Sequence, residues 1–83
     1  MQLIVLTPEK EYFKGEVDSI KAPGVVGEFQ ILKNHAPIVS ELAEGKVTLR
    51  ETSGKGIEFE IDGGFIEVHN NKVSLLVSGI KEN

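Results

Sequence analysis

The chain has 83 residues, a formal net charge of −4 at pH 7 and no cysteine. A chain of this length forms one small domain with a limited core, and without cysteine these residues make no disulfide or thiolate metal site. The acidic balance, with lysines and arginines scattered singly, argues against a surface for nucleic acid or for anionic lipid.

Apolar and polar residues alternate with a period of two along much of the chain, broken by Gly, Pro or Asn. This pattern predicts an all-β sandwich or barrel, because apolar residues never recur at helical spacing over a helical length. Residues 3–6 form the first predicted strand, and this longest apolar run is too short for a signal sequence or membrane span. Thr7-Pro8 resembles a helix start, but Gly15 ends the segment too soon, so a turn is predicted. The next strand is predicted over residues 16–21, with Ala22-Pro23-Gly24 ending it.

Residues 46–62 are predicted to form a β-hairpin. Isoleucine and phenylalanine alternate with acidic residues on one arm, and valine and leucine alternate with polar residues on the other. Opposite charges then meet on one face and apolar side chains on the other, and a slip by one residue would bury carboxylates. The predicted pairs are Arg50 with Glu58, Leu49 with Phe59, Val47 with Ile61 and Lys46 with Asp62, across a loop of residues 52–56.

A second hairpin is predicted over residues 64–77, turning at Asn70-Asn71. Asparagine tolerates the positive φ that a two-residue type I′ turn requires at both positions. The two faces of this hairpin are largely apolar, so it lies either in the centre of the sandwich or under an external partner. Residues 78–83 are predicted to be a short tail. The predicted pairs are Val68 with Val73, Ile66 with Leu75 and Phe65 with Leu76.

The acidic residues of the first hairpin allow two interpretations, a carboxylate or calcium site and a solvated strand face. The solvated face is favoured, because calcium loops need a bent backbone with converging oxygens. The Gly-Lys pairs at 45–46 and 54–55 lack the preceding glycine and the following Ser or Thr of a phosphate-binding loop. His35 and His69 are too few for most dedicated metal sites, and no Ser or Cys pairs with them. No catalytic, cofactor or metal site is predicted.

Several short segments, in this order, carry a resemblance to a known family. They resemble the amino-terminal β domain of the epsilon subunit of F-type ATP synthases, over residues 3–77. The resemblance implies a single domain over residues 1–83, a flattened β-sandwich of about ten short strands. The segments are Gly15-Glu16-Val17, Pro23-Gly24 with Gly27-Glu28-Phe29, Ile31-Leu32 through Asn34-His35-Ala36-Pro37, Gly45-Lys46-Val47, and Gly63-Gly64-Phe65-Ile66-Glu67-Val68.

By this resemblance the chain is a non-catalytic subunit of the central stalk, the rotor. It links the gamma subunit to the polar loops of the c ring, so that proton- or sodium-driven rotation is coupled to ATP synthesis. The chain is expected on the cytoplasmic face of the membrane, held peripherally through the rest of the complex and without lipid insertion.

The family pattern also suggests which residues contact partners. It places Glu28 and His35 at the end that faces the ring and the gamma foot, with Ser40 near the same contact. The apolar second hairpin, together with Ile38 and Val39, is a candidate patch facing gamma; this assignment comes from the apolar pattern.

The chain departs from the family at two places. Lys33-Asn34 stands where Pro-Gly usually precedes the loop histidine, which still leaves a residue able to form a turn. The sequence ends at Asn83, before the carboxy-terminal helical hairpin of longer members, so no inhibition by that hairpin is expected. If the sequence is a truncated piece, its regulation stays open. The competing interpretation is a small carrier domain of the biotinyl or lipoyl type, modified at Lys55.

Overall fold

The computed structural model describes the backbone of residues 1–82 and the side chains of residues 1–81. Over these residues it contains nine β-strands and no helix that would be long and apolar enough to cross a membrane. The prediction of an all-β fold is confirmed, with nine strands where about ten were expected. The strands are β1 Gln2–Leu6, β2 Glu11–Gly24, β3 Gly27–Leu32, β4 Ile38–Leu42, β5 Gly45–Glu51, β6 Gly56–Ile61, β7 Gly64–His69, β8 Lys72–Val77 and β9 Ile80–Glu82.

The long strand β2 joins two layers of sheet. Its first half pairs antiparallel with β1, and its second half lies between β3 and β5. From β1 the first layer continues through a parallel pairing with β8 and then to β7 and β4. From β5 the second layer continues to β6 and β9. The register of β2 against β5 shifts between Val17 and Ser19, an irregularity of the kind that bends a strand from one layer to the other.

The core lies between the two layers and comes from every second residue of the strands. Phe59 on β6 is its largest side chain and has no exposed surface. The Phe59 ring lies 5.0 Å, centroid to centroid, from the ring of Tyr12 on β2, so the aromatic pair bridges the layers. Each fully buried aliphatic or aromatic side chain contributes about 1.5–3 kcal/mol. The largest fully buried side chains, besides Phe59, are Leu3, Ile20, Ile31, Leu49, Ile61, Ile66 and Leu75.

The predicted register of the β5–β6 hairpin is wrong by two residues, although its faces are right. Phe59 lies opposite Val47 instead of Leu49, and Lys46 lies opposite Glu60 instead of Asp62. A shift of two leaves every side chain on its predicted face, because the side-chain period of a strand is two. The apolar residues of both arms therefore still point into the core.

The shorter loop of this hairpin explains the shift. The Glu51 N–H donates to the Lys55 carbonyl and the Gly54 N–H to the Glu51 carbonyl, both at 2.8 Å. Gly54 has a φ of 99°, a left-handed conformation that suits glycine. Three residues, 52–54, thus make the turn where a loop of five was predicted, and the second arm gains Lys55 and Gly56.

The predicted β7–β8 hairpin is confirmed. Val68 lies opposite Val73, and the predicted pairs on either side of it follow in the same register. Asn70 and Asn71 have φ values of 51° and 61°, as a type I′ turn requires.

The segments after β1 and after β8 differ in part from their predictions. The turn predicted after β1 is present, with a hydrogen bond of 2.9 Å from the Thr7 N–H to the Lys10 carbonyl. The expected end of that segment at Gly15 is wrong, because Gly15 lies inside β2, opposite Leu3. Within the segment predicted as a short tail, Ile80–Glu82 form β9 and pair with β6, and Asn83 lies outside the described residues.

Candidate functional site

Glu28 lies near the turn that joins β2 to β3. It is opposite Pro23, and its side chain is exposed. The end of β4 meets β2 at the same place, where Gly24 lies opposite Leu42. Exposed glutamates from β3, from β4 and from the link to β5 therefore share this end of the sandwich. We call it the glutamate end; it consists of Glu28, Glu41 and Glu44.

His35 lies in the loop of residues 33–37, between β3 and β4, and is half-buried. Its N–H donates to the Leu32 carbonyl at 3.2 Å, and its ring Nδ1 lies 2.7 Å from the Ala36 carbonyl oxygen. The loop is tied to the β7–β8 turn by a hydrogen bond of 3.0 Å from the Asn34 N–H to Asn71 Oδ1. We call residues 33–37 together with Asn71 the histidine end.

The structure places Glu28 and His35 at different ends of β3. Glu28 lies opposite Pro23, whereas Leu32, which binds the N–H of His35, lies opposite Ser19. About 13 Å of strand separates Glu28 from Leu32. The two residues therefore belong to different surfaces at opposite ends of β3.

Ser40, Ile38 and Val39 follow one another on β4 and point to different faces. Ser40 lies opposite the buried Ile66 and is half-buried, and its hydroxyl donates to the Glu41 carbonyl at 3.5 Å. Ile38 packs against the core, whereas Val39 points outward and is 71% exposed. Of the two residues in the candidate patch, only Val39 presents most of its surface to a partner.

A row of apolar side chains crosses the outer face of the first layer. Leu76 lies opposite Leu6 on β1 and opposite Phe65 on β7. Phe65 is 52% exposed and Leu76 is 48% exposed, and a shallow hollow of about 460 Å³ lies along the row. We call Leu6, Phe65 and Leu76 the apolar row. The apolar pattern of the second hairpin predicted the exposed positions of this surface. That Leu6 belongs to it follows only from the pairing of β1 with β8.

The acidic face of β6 fits the solvated interpretation. Glu58 and Glu60 are exposed, and Glu58 Oε1 lies 3.8 Å from Lys46 Nζ. Over the described residues no three His, Asp or Glu side chains are grouped so that they hold a metal ion. Lys55 is exposed at the tip of the β5–β6 turn.

The whole chain, residues 1–83, matches the family described as ATP synthase, Delta/Epsilon chain, beta-sandwich domain. The chain belongs to this family. Among its relatives, the ATP synthase epsilon chain of Chlorobium limicola is 46% identical over 95% of this chain and 90% of its own. The epsilon chain of Caulobacter vibrioides is 43% identical over 87% of this chain and 83% of its own. The resemblance seen in the sequence is thus confirmed.

Two solved ATP synthase structures contain a chain with the same fold. A chain of the Euglena gracilis mitochondrial ATP synthase has a TM-score of 0.90 and 26% identity over 96% of this chain. A chain of the Tetrahymena thermophila central stalk and c-ring has a TM-score of 0.83 and 26% identity over 99%. This chain spans 51% of the Euglena chain and 66% of the Tetrahymena chain. The carrier interpretation of Lys55 is not favoured, because the delta/epsilon match includes every residue.

Proposed function

We propose that this chain is the non-catalytic epsilon-type subunit of an F-type ATP synthase rotor, linking gamma to the c ring. In that role it couples ion-driven rotation of the ring to ATP synthesis. The observation that carries the proposal is the family match over residues 1–83, together with the Chlorobium limicola epsilon chain, which is 46% identical. The related Euglena and Tetrahymena chains come from complexes that contain the c-ring.

The apolar row is the surface proposed to pack on gamma. Exposed apolar side chains that lie side by side on one sheet face are typical of a protein contact. Phe65 and Leu76 are each about half exposed, and Val39 extends the apolar surface on the same face. Ile38 supports this surface from below, since it packs against the core.

The glutamate end is the surface proposed to meet the c ring. We place the chain at the cytoplasmic face of the membrane, held there through the complex. Short cytoplasmic loops of membrane proteins carry an excess of Lys and Arg, so the loops of the ring would be basic on this side. Glu28, Glu41 and Glu44 complement such loops in charge.

The histidine end, at the opposite end of β3, is then directed away from the ring and toward the gamma foot. His35 is its polar contact. Ser40 lies on β4, which begins where this loop ends, and is proposed to support the same contact.

The proposal is tested first by a tagged pull-down of the full chain from detergent-solubilised membranes of the source cells. Recovery of gamma and the c ring, identified by mass spectrometry, is the expected result. Recovery of a folded, intact chain with neither partner would contradict the assignment.

Variants then separate the two partners. Leu76→Ala is expected to weaken binding to an epsilon-depleted head that contains gamma by at least about fivefold. Val25→Ala is the control, because Val25 is similarly exposed, at 54%, but lies in the turn between β2 and β3, next to the glutamate end. Equal affinities of the two variants would exclude the apolar row as the gamma contact.

Coupling is tested in reconstituted membranes. Glu28→Ala and His35→Ala are expected to lower coupled ATP synthesis while leaving the melting temperature of the domain unchanged, since Glu28 is exposed and His35 only half-buried. Normal coupled synthesis in the double variant would count against both sites.

A further inference from the structure

The Asn71 side chain connects the loop of residues 33–37 to the β7–β8 turn. The Asn34 N–H donates to Asn71 Oδ1 at 3.0 Å, across 37 positions of sequence. Asn34 and Asn71 both have a φ of 61°, a left-handed conformation uncommon for residues other than glycine. The loop therefore adopts a demanding backbone shape at Asn34, and the Asn71 side chain binds the N–H of that same residue.

The histidine next to this contact has a defined proton position. Its Nδ1 lies 2.7 Å from the Ala36 carbonyl oxygen, which only accepts hydrogen bonds. Nδ1 must therefore carry the proton and donate it. In the neutral imidazole, Nε2 then has a free lone pair and acts as an acceptor. His35 thus offers a partner an acceptor whose orientation depends on the shape of the loop.

We propose that Asn71 is a positioning residue for partner recognition. Its side chain holds residues 33–37 in the shape in which His35 meets gamma, with Nε2 of the neutral ring accepting a hydrogen bond there. The group on gamma that meets the neutral ring is an N–H or O–H donor. This inference rests on the proposed docking of the histidine end on gamma.

Three substitutions isolate the Asn71 side chain from the turn that carries it. Asn71→Gly removes Oδ1 but keeps a residue that adopts positive φ readily, so the type I′ turn persists. Asn71→Asp keeps an acceptor oxygen and tolerates the same conformation. Asn70→Gly is the matched control, because Asn70 also has positive φ, and within residues 1–82 its side chain makes no hydrogen bond.

The first measurement is amide hydrogen exchange at Asn34 in the free, full chain. Asn71→Gly is expected to speed this exchange by roughly 2- to 10-fold, the effect of losing one hydrogen bond. Asn71→Asp and Asn70→Gly are expected to match the parent chain. The nitrogen-15 shifts of the His35 ring are expected to show the proton on Nδ1. Exchange that does not differ between Asn71→Gly and Asn70→Gly would overturn the positioning role.

The second measurement is affinity for an epsilon-depleted ATP synthase head that contains gamma but no c ring. Asn71→Gly is expected to bind more weakly, by at most the same factor, because fewer loops are in the competent shape. His35→Gln, whose amide reaches the Nε2 position, is expected to bind better than His35→Asn, whose shorter amide does not. Failure of the parent chain to bind overturns the docking proposal itself. Binding of the parent chain with equal affinities of the variants overturns this inference alone.

Discussion

Truncation of Phe59 to alanine tests the core between the two layers. Phe59 has no exposed surface, lies opposite Val47, and its ring is 5.0 Å from that of Tyr12. Deleting a fully buried aromatic ring costs about 3–5 kcal/mol, because transfer free energy is lost and a cavity remains. A domain of this size has a total stability of about 4–12 kcal/mol. Phe59→Ala is therefore expected to remove between about a quarter of the stability of the domain and all of it.

The assay is urea unfolding followed by circular dichroism, with two companion variants. Phe65→Ala makes the same chemical change on the outer face, where the ring is 52% exposed, and is expected to cost less than about 1 kcal/mol. Phe59→Leu is expected to cost about 0.5–3 kcal/mol and to remain folded, so a midpoint can be measured. Equal unfolding free energies for Phe59→Ala and Phe65→Ala would refute the assignment of Phe59 to the core.

Two further predictions concern the strands. Gly64→Ala is expected to destabilise the domain by more than about 1 kcal/mol, because a Cβ there falls on the Leu76 carbonyl and φ is 153°. Gly56→Ala is the control: a Cβ there has no neighbour closer than 4.0 Å, so this variant should be neutral or slightly stabilising. Thermal unfolding of the two variants measures the difference in stability. Lys46 Nζ lies 3.8 Å from Glu58 Oε1, so a double-mutant cycle on this pair is expected to give a salt-sensitive coupling energy of about 0.2–1 kcal/mol. The same cycle between Lys46 and Asp62 is expected to give no coupling energy. Coupling to Asp62 instead would restore the register predicted from sequence.

The two hairpins show what the sequence can specify. Alternation of apolar and polar residues specifies the face of each side chain but cannot distinguish registers that differ by two. In β7–β8 the Asn70-Asn71 turn removes this ambiguity, since only a two-residue turn puts both asparagines at positive φ. In β5–β6 the turn of residues 52–54 depends on the left-handed Gly54, and a segment with two glycines fits loops of more than one length.

The candidate site was predictable in its parts but not in its arrangement. Glu28 and His35 are close in sequence. Only the structure shows that Glu28 lies at the start of β3 and His35 beyond its end. Leu6 joins the apolar row because β1 pairs in parallel with β8, a long-range pairing without a local sequence signal. The hydrogen bond from Asn34 to Asn71 likewise depends on two turns meeting in space.

The parallel pairing of β1 with β8 has a consequence for how the domain is made. Gln2 lies opposite Lys72, so the first layer cannot close until nearly all of the domain has left the ribosome. Long-range strand pairing folds slowly, on a timescale of about milliseconds to seconds. Until β8 emerges, β1 can pair only with β2, and its other edge stays open to aggregation. Biogenesis of this small domain is therefore expected to be all-or-none and to benefit from a chaperone that covers β1.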